Sequence, residues 1–163
     1  MRKQSLNENN VMGLNFHKYV EMKPRQIIKM KINNFMHEFE VHNDQNLALE
    51  LFASSCKENE IKFFIFAGYI IQYCFSQNPK GFNTIFGLIL FFHEKKLLNS
   101  SDLLEGFHFS MSNFADTIID YPNAKDYAFS VIDKFQELGI IESDLVPKYK
   151  EHIEKIENDG YDY

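Results

Sequence analysis

Apolar residues recur every three or four positions through most of this chain, and no stretch alternates apolar with polar residues as a half-buried strand does. The pattern predicts an all-α protein. Ile28, Ile32, Phe35 and Phe39 form one stripe, and beyond the polar turn His42-Asn43-Asp44 a second runs through Ala48, Leu51, Phe52 and Ser55. These read as one helical hairpin. Helices from about Asn59 to Ser76 and about Phe82 to Lys95 read as another, joined by the breaker Gln77-Asn78-Pro79-Lys80-Gly81.

A third pair is punctuated at Asp102, where Glu105 lies three residues on as in a capping box. Its first helix carries Leu104, Phe107, Met111, Phe114 and Ile118 on one face. Pro122 is expected in the first turn of the next helix, where its missing N–H costs nothing. That helix presents Tyr127 or Ala128, Val131, Ile132, Phe135 and Leu138, and Gly139 should close it in the left-handed conformation with Ile140 folding back. Ser143 or Asp144 should cap a last helix containing Tyr149, Ile153 and Ile156, with Pro147 in its first turn.

Hairpins starting near Arg25, Asn59 and Asp102 recur about every 35 to 45 residues, a spacing that suits a short solenoid better than a four-helix bundle. The expected fold is an all-α, HEAT-like stack of about three antiparallel hairpins plus a C-terminal helix. At roughly 150 residues per domain, 163 residues allow one domain. Residues 1–22 read as a basic, polar arm, 23–157 as the domain and 158–163 as a tail.

Leu, Ile, Val and Phe make up about 31 per cent of the chain, enough for a sizeable core. The most apolar runs, Phe63 to Phe75 with 13 residues and Phe82 to Phe92 with 11, fall short of the ~20 needed to span a bilayer. Both read as buried helices. Arg2-Lys3-Gln4-Ser5 is followed by Leu6-Asn7-Glu8-Asn9-Asn10 and not by an apolar run, so export is not expected. Cys56 and Cys74 form no Cys-x-x-Cys pair and read as reduced core thiols of a cytoplasmic protein, with the nucleus as the alternative location.

The net charge of −6 argues against bulk binding to nucleic acid or an anionic membrane. It is unevenly placed: Met1 to Lys31 carries +5, Ile32 to Ser100 −2, and Ser101 to Tyr163 −9. Lys18, Lys23, Arg25, Lys29 and Lys31, interleaved with Phe16 and Tyr19, offer an alternative RNA-contacting surface, for which a solvated helix face is the plainer reading.

No phosphate loop, Gly-rich dinucleotide turn or Gly-x-Ser-x-Gly elbow occurs, so neither an enzyme nor a cofactor is expected. His37-Glu38-x-x-x-His42 misses the i, i+4 spacing that puts two metal ligands on one helical face, and no metal site is expected. The oddly placed residues are acidic. Asp116 and Asp120 share a face at what the pattern makes the C-terminal end of the helix begun at Asp102. There the helix dipole disfavours both, and their mutual repulsion costs ~0.2–0.5 kcal/mol. Asp120 is expected to recover part of this by capping the helix that starts at Pro122. An exposed acidic pair of this kind could capture Arg or Lys of a partner protein.

The stretch Gly106-Phe107-x6-Phe114-x-Asp116-x3-Asp120-x-Pro122-x-Ala124, continued by Phe129, Val131, Phe135, Gly139, Ile140 and Ile141, resembles the signature half of an MA-3 domain. That domain type occurs in programmed cell death protein 4 and in the C-terminal region of eukaryotic initiation factor 4 gamma. The resemblance covers about Arg25 to Lys148. It implies a HEAT-like fold and a role in translation: binding the DEAD-box helicase eukaryotic initiation factor 4A, with Asp116 and Asp120 at the family's acidic contact positions and Pro122 fixing the turn that aims them. Inhibition of the helicase is the leading expectation. A scaffold that promotes assembly, or a nuclear RNA-processing scaffold, is the alternative. Tyr121 stands where the family usually has a smaller aliphatic residue.

Overall fold

The computed structural model describes residues 26–159, and among these every regular element is helical. The order is α1 (Gln26–His42), α2 (Gln45–Asn59), α3 (Phe63–Cys74), α4 (Pro79–Glu94), α5 (Ser100–Met111), α6 (Phe114–Asp120), α7 (Ala124–Glu137) and α8 (Val146–Asp159), with a 3-10 turn at Ser143–Leu145 leading into α8. The N-terminal arm expected at 1–22 lies outside the described residues, as does 160–163.

Local chemistry sets the helix starts. Asp44 caps α2, its carboxylate accepting from the N–H groups of Asn46 and Leu47, both at 3.1 Å. Asn78 caps α4 by accepting from Gly81 N–H at 2.7 Å, and Pro79 takes the first helical position. The capping box of α5 lies three residues before the predicted one. Asn99 Oδ1 accepts from Asp102 N–H at 2.7 Å while Asp102 Oδ2 accepts from Asn99 N–H at 3.1 Å. Gly139 closes α7 as expected, at φ +77°, with Ile140 N–H bonded back to Phe135 O at 2.8 Å.

Three boundaries differ from the sequence pattern. Asn59 ends α2 instead of opening the next helix, because Glu60 enters the left-handed region at φ 54° and Ile61 N–H returns to Cys56 O at 2.9 Å. The helix predicted to run unbroken from Asp102 past Ile118 divides at Ser112-Asn113 into α5 and α6. Pro122 precedes α7 and is not in its first turn: it sits second in a turn closed by Ala124 N–H to Tyr121 O at 2.9 Å.

The apolar stripes converge on one core. Phe52 packs against Phe66 with ring centroids 4.6 Å apart and against Phe92 at 5.0 Å, and Phe35 meets Phe66 edge-on at 5.2 Å. α1, α2, α3 and α4 thus share an aromatic centre, in which each fully buried Phe contributes about 1.5–3 kcal/mol relative to exposure. Phe82 stacks on Tyr127 at 4.3 Å and 6°, joining α4 to α7. Packing links α1 with α2 and α3 with α4, and also alternate helices: α1 with α3, α2 with α4, and most extensively α3 with α5. Gly68 and Gly106 lie at that last crossing, where Gly68 N would be only 3.2 Å from a Cβ built on Gly106.

Candidate functional site

The division between α5 and α6 shapes the acidic surface. Ser110 and Ser112 donate their hydroxyls to Phe107 O at 2.6 Å and Phe109 O at 2.7 Å, and Asn113 leaves helical geometry at φ −121°, ψ 22°. Side chains thus bond carbonyls in the last turn of α5, and the chain restarts at Phe114. Asp116 consequently lies in the first turn of α6, at the positive end of that helix, so the dipole penalty expected of it changes sign. Asp120 remains at the C-terminal end and keeps its penalty. The capping role expected of Asp120 is not seen either: Asn123 is the N-cap of α7, and no side chain bonds the first-turn N–H groups.

Asp116, Asp120 and Pro122 are all exposed. The two carboxylates lie four residues apart on one helical face, about 5–6 Å between Cβ atoms. No ion pair among the described residues engages either of them. Ile119, on the same face and 77 % exposed, and Tyr121, 43 % exposed, add apolar surface beside them. The sequence reading passed over Ile119. Its signal was the doublet Ile118-Ile119, of which only one member of a helix can turn toward the core; Ile118 does so. Chemically, the surface is two exposed carboxylate acceptors beside an aliphatic side chain, suited to a guanidinium or ammonium next to an apolar contact.

Of the basic candidates, Lys29 and Lys31 are exposed on α1, while Lys18, Lys23 and Arg25 lie outside the described residues. His42 Nε2 lies 3.4 Å from Glu38 Oε1, an i, i+4 contact on the exposed side of α1. Among the described residues, no group of three His, Cys, Asp or Glu side chains could hold a metal ion. Burial, with the nearby Asp102 charge adding to it, pushes the Cys56 thiol up to about 12, and burial also raises Cys74. Neither has the thiolate character a nucleophile needs near neutral pH.

His108 has a partner that sequence spacing did not show. Its Nε2 lies 2.7 Å from the Tyr149 hydroxyl, contributed by α8 and buried with it between the helices. No helix among the described residues is long and apolar enough to cross a membrane. Comparison with known protein families, with curated proteins and with solved structures found no match to this chain.

Proposed function

We propose that this chain is an MA-3-type, HEAT-like domain that binds the DEAD-box initiation helicase through Asp116 and Asp120 and restrains it, acting as a non-enzymatic regulator of translation in the cytoplasm. The observation that carries the reading is the exposed pair on α6, without an ion pair among the described residues and followed by the Pro122 turn, within the run Gly106 to Ala124 that resembles the family signature. Contacts between alternate helices, α1 with α3, α2 with α4 and α3 with α5, favour a stack of hairpins over a closed bundle. The −9 charge of the C-terminal third favours a basic recipient surface.

The test is co-precipitation of the purified helicase with wild type and with the Asp116→Ala, Asp120→Ala double variant. Binding should be lost while helical circular dichroism is unchanged; undiminished binding removes the assignment. An unwinding assay with helicase and RNA then separates the inhibitor from the scaffold, since the inhibitor slows unwinding and the scaffold does not.

A further inference from the structure

Phe107 and Phe109 are two residues apart on α5 and so point about 200° apart around it. Phe107 faces the core and is fully buried, whereas Phe109 lies outside the core cluster and is still only 4 % exposed. The same outward row holds the buried Ser112 and the half-buried Glu105, one of whose carboxylate oxygens is shut off from water. Beside it, Tyr69 of α3 meets the Phe109 ring at 5.1 Å, and Ile65 and Gln72 on the outward side of α3 are half-buried. The side of the α3–α5 pair turned away from the core is therefore closed to solvent within a single copy of the chain.

The 25 residues before α1, which lie outside the described residues, divide into two halves of different character. Residues 1–10 are polar apart from Met1 and Leu6, but seven of the twelve residues 11–22 are apolar, with Met12, Phe16, Tyr19 and Val20 at helical spacing. Twelve is also the length of α3 and of α5. The chain enters the fold at the right place to use them. Tyr73 in the last turn of α3 donates its hydroxyl to Glu40 in the last turn of α1 at 2.8 Å, so the two helices run parallel and Gln26 lies at the same end as the first turn of α3. Residues 23–25, when extended, span about 10 Å, the spacing of one helix pair. Residues 1–25 carry a net charge of +3 and residues 26–159 one of −8, so the two parts attract.

We propose that residues 11–22 of this chain form a strap over the outward side of α3 and α5, with Phe16 and Tyr19 against Tyr69 and Phe109. A second copy or another protein fits less well as the cover. Phe109 is buried without one, and a tethered segment meets this side at an effective concentration on the millimolar scale. Displacing the strap would open an aromatic surface distinct from the acidic pair on α6.

Hydroxyl-radical footprinting of the full chain, read by mass spectrometry and corrected for intrinsic reactivity, reports the exposure of each of these rings. In wild type, Phe16 and Tyr19 should be oxidised several-fold more slowly than Tyr121, which is 43 % exposed. The Phe16→Asp, Val20→Asp double variant should raise oxidation of Tyr69 and Phe109 at least about three-fold, as local opening does, while Phe107 in the core stays protected. Leu6→Asp, in the polar half, should change neither ring. Should the double variant expose Phe107 as well, the milder Phe16→Ala takes its place in the comparison. Sedimentation velocity should find a monomer throughout. The proposal is overturned if Phe16 and Tyr19 are oxidised as fast as Tyr121, if Tyr69 and Phe109 stay protected once the strap is altered, or if wild type is a dimer whose dilution exposes Phe109.

Discussion

Gly68 of α3 and Gly106 of α5 meet backbone to backbone: a Cβ on Gly68 would stand 2.8 Å from the Gly106 carbonyl oxygen and 2.7 Å from Phe109 Cδ2. Alanine cannot enter without moving one helix. Gly68→Ala should cost about 1–3 kcal/mol in urea unfolding, the range for overpacking. Gly87→Ala is the control, since nothing lies within 4 Å of its Cβ position. It should gain up to about 1 kcal/mol from helix propensity. Equal effects at the two glycines would show that α3 and α5 do not cross this closely.

Replacing Tyr149 with Phe should leave His108 Nε2 without the hydroxyl now 2.7 Å away, in a site shut off from water. The expected loss is about 0.5–1.5 kcal/mol, the net worth of one hydrogen bond. Tyr121→Phe, at a side chain 43 % exposed, is the comparison for urea unfolding. A neutral Tyr149→Phe would mean that the hydroxyl contributes nothing to the packing of α8 on α5.

Alkaline pH should unfold the chain. Burial raises Cys56 from an ordinary 9.0 to about 12 and Tyr69 from 10.0 to about 12. Between those values the unfolded chain holds fewer protons than the folded one, so stability falls as pH rises. The contribution is fully present below about pH 9, where both states are protonated. Urea midpoints measured from pH 8 upward should therefore decline steadily, and a flat profile would refute the burial of these groups.

Asn99→Ala should remove the half of the capping box in which its side chain accepts from Asp102 N–H, and cost about 1 kcal/mol. Asp102→Ala removes the other half, the bond from Asn99 N–H to its carboxylate, and should cost less than Asn99→Ala because the first-turn N–H of Asp102 stays capped. Thermal melts of the two variants rank them.

The split between α5 and α6 predicts opposite behaviour for two like residues. Asp120→Asn should stabilise by ~0.5 kcal/mol, because it relieves both the dipole and the repulsion. Asp116→Asn should be near neutral, because the favourable dipole interaction is lost as the repulsion is relieved. Chemical denaturation of both variants distinguishes a divided helix from a continuous one, in which both changes would stabilise.

Much of this fold could be read from spacing alone. The stripes Ile32-Phe35-Phe39 and Val131-Ile132-Phe135 are buried as the pattern required, and Gly139 has the positive φ that its place after an apolar run predicts. Misjudged boundaries lie where a non-glycine residue does a glycine's work, as Glu60 does at φ 54°, or where side chains interrupt a helix that keeps its apolar period, as Ser112 and Asn113 do between Met111 and Phe114. Hydroxyl-to-carbonyl bonds leave no mark on hydrophobic periodicity. The exposed acids could be located from sequence, but their electrostatics could not, because the sign of the dipole at Asp116 depends on that division. The His108–Tyr149 contact joins residues 41 apart, and no local pattern encodes it.

The division also fixes how α6 responds to force and to solvent. Seven residues form barely two turns, and Phe114 is the one fully buried anchor. Below about 12 residues a helix owes its persistence to what it packs on. α6, which packs on α7 and α8, is therefore a shingle pinned at one edge, able to lift while the crossing of α3 and α5 stays closed, and its amides should exchange with solvent long before those around Gly68 and Gly106.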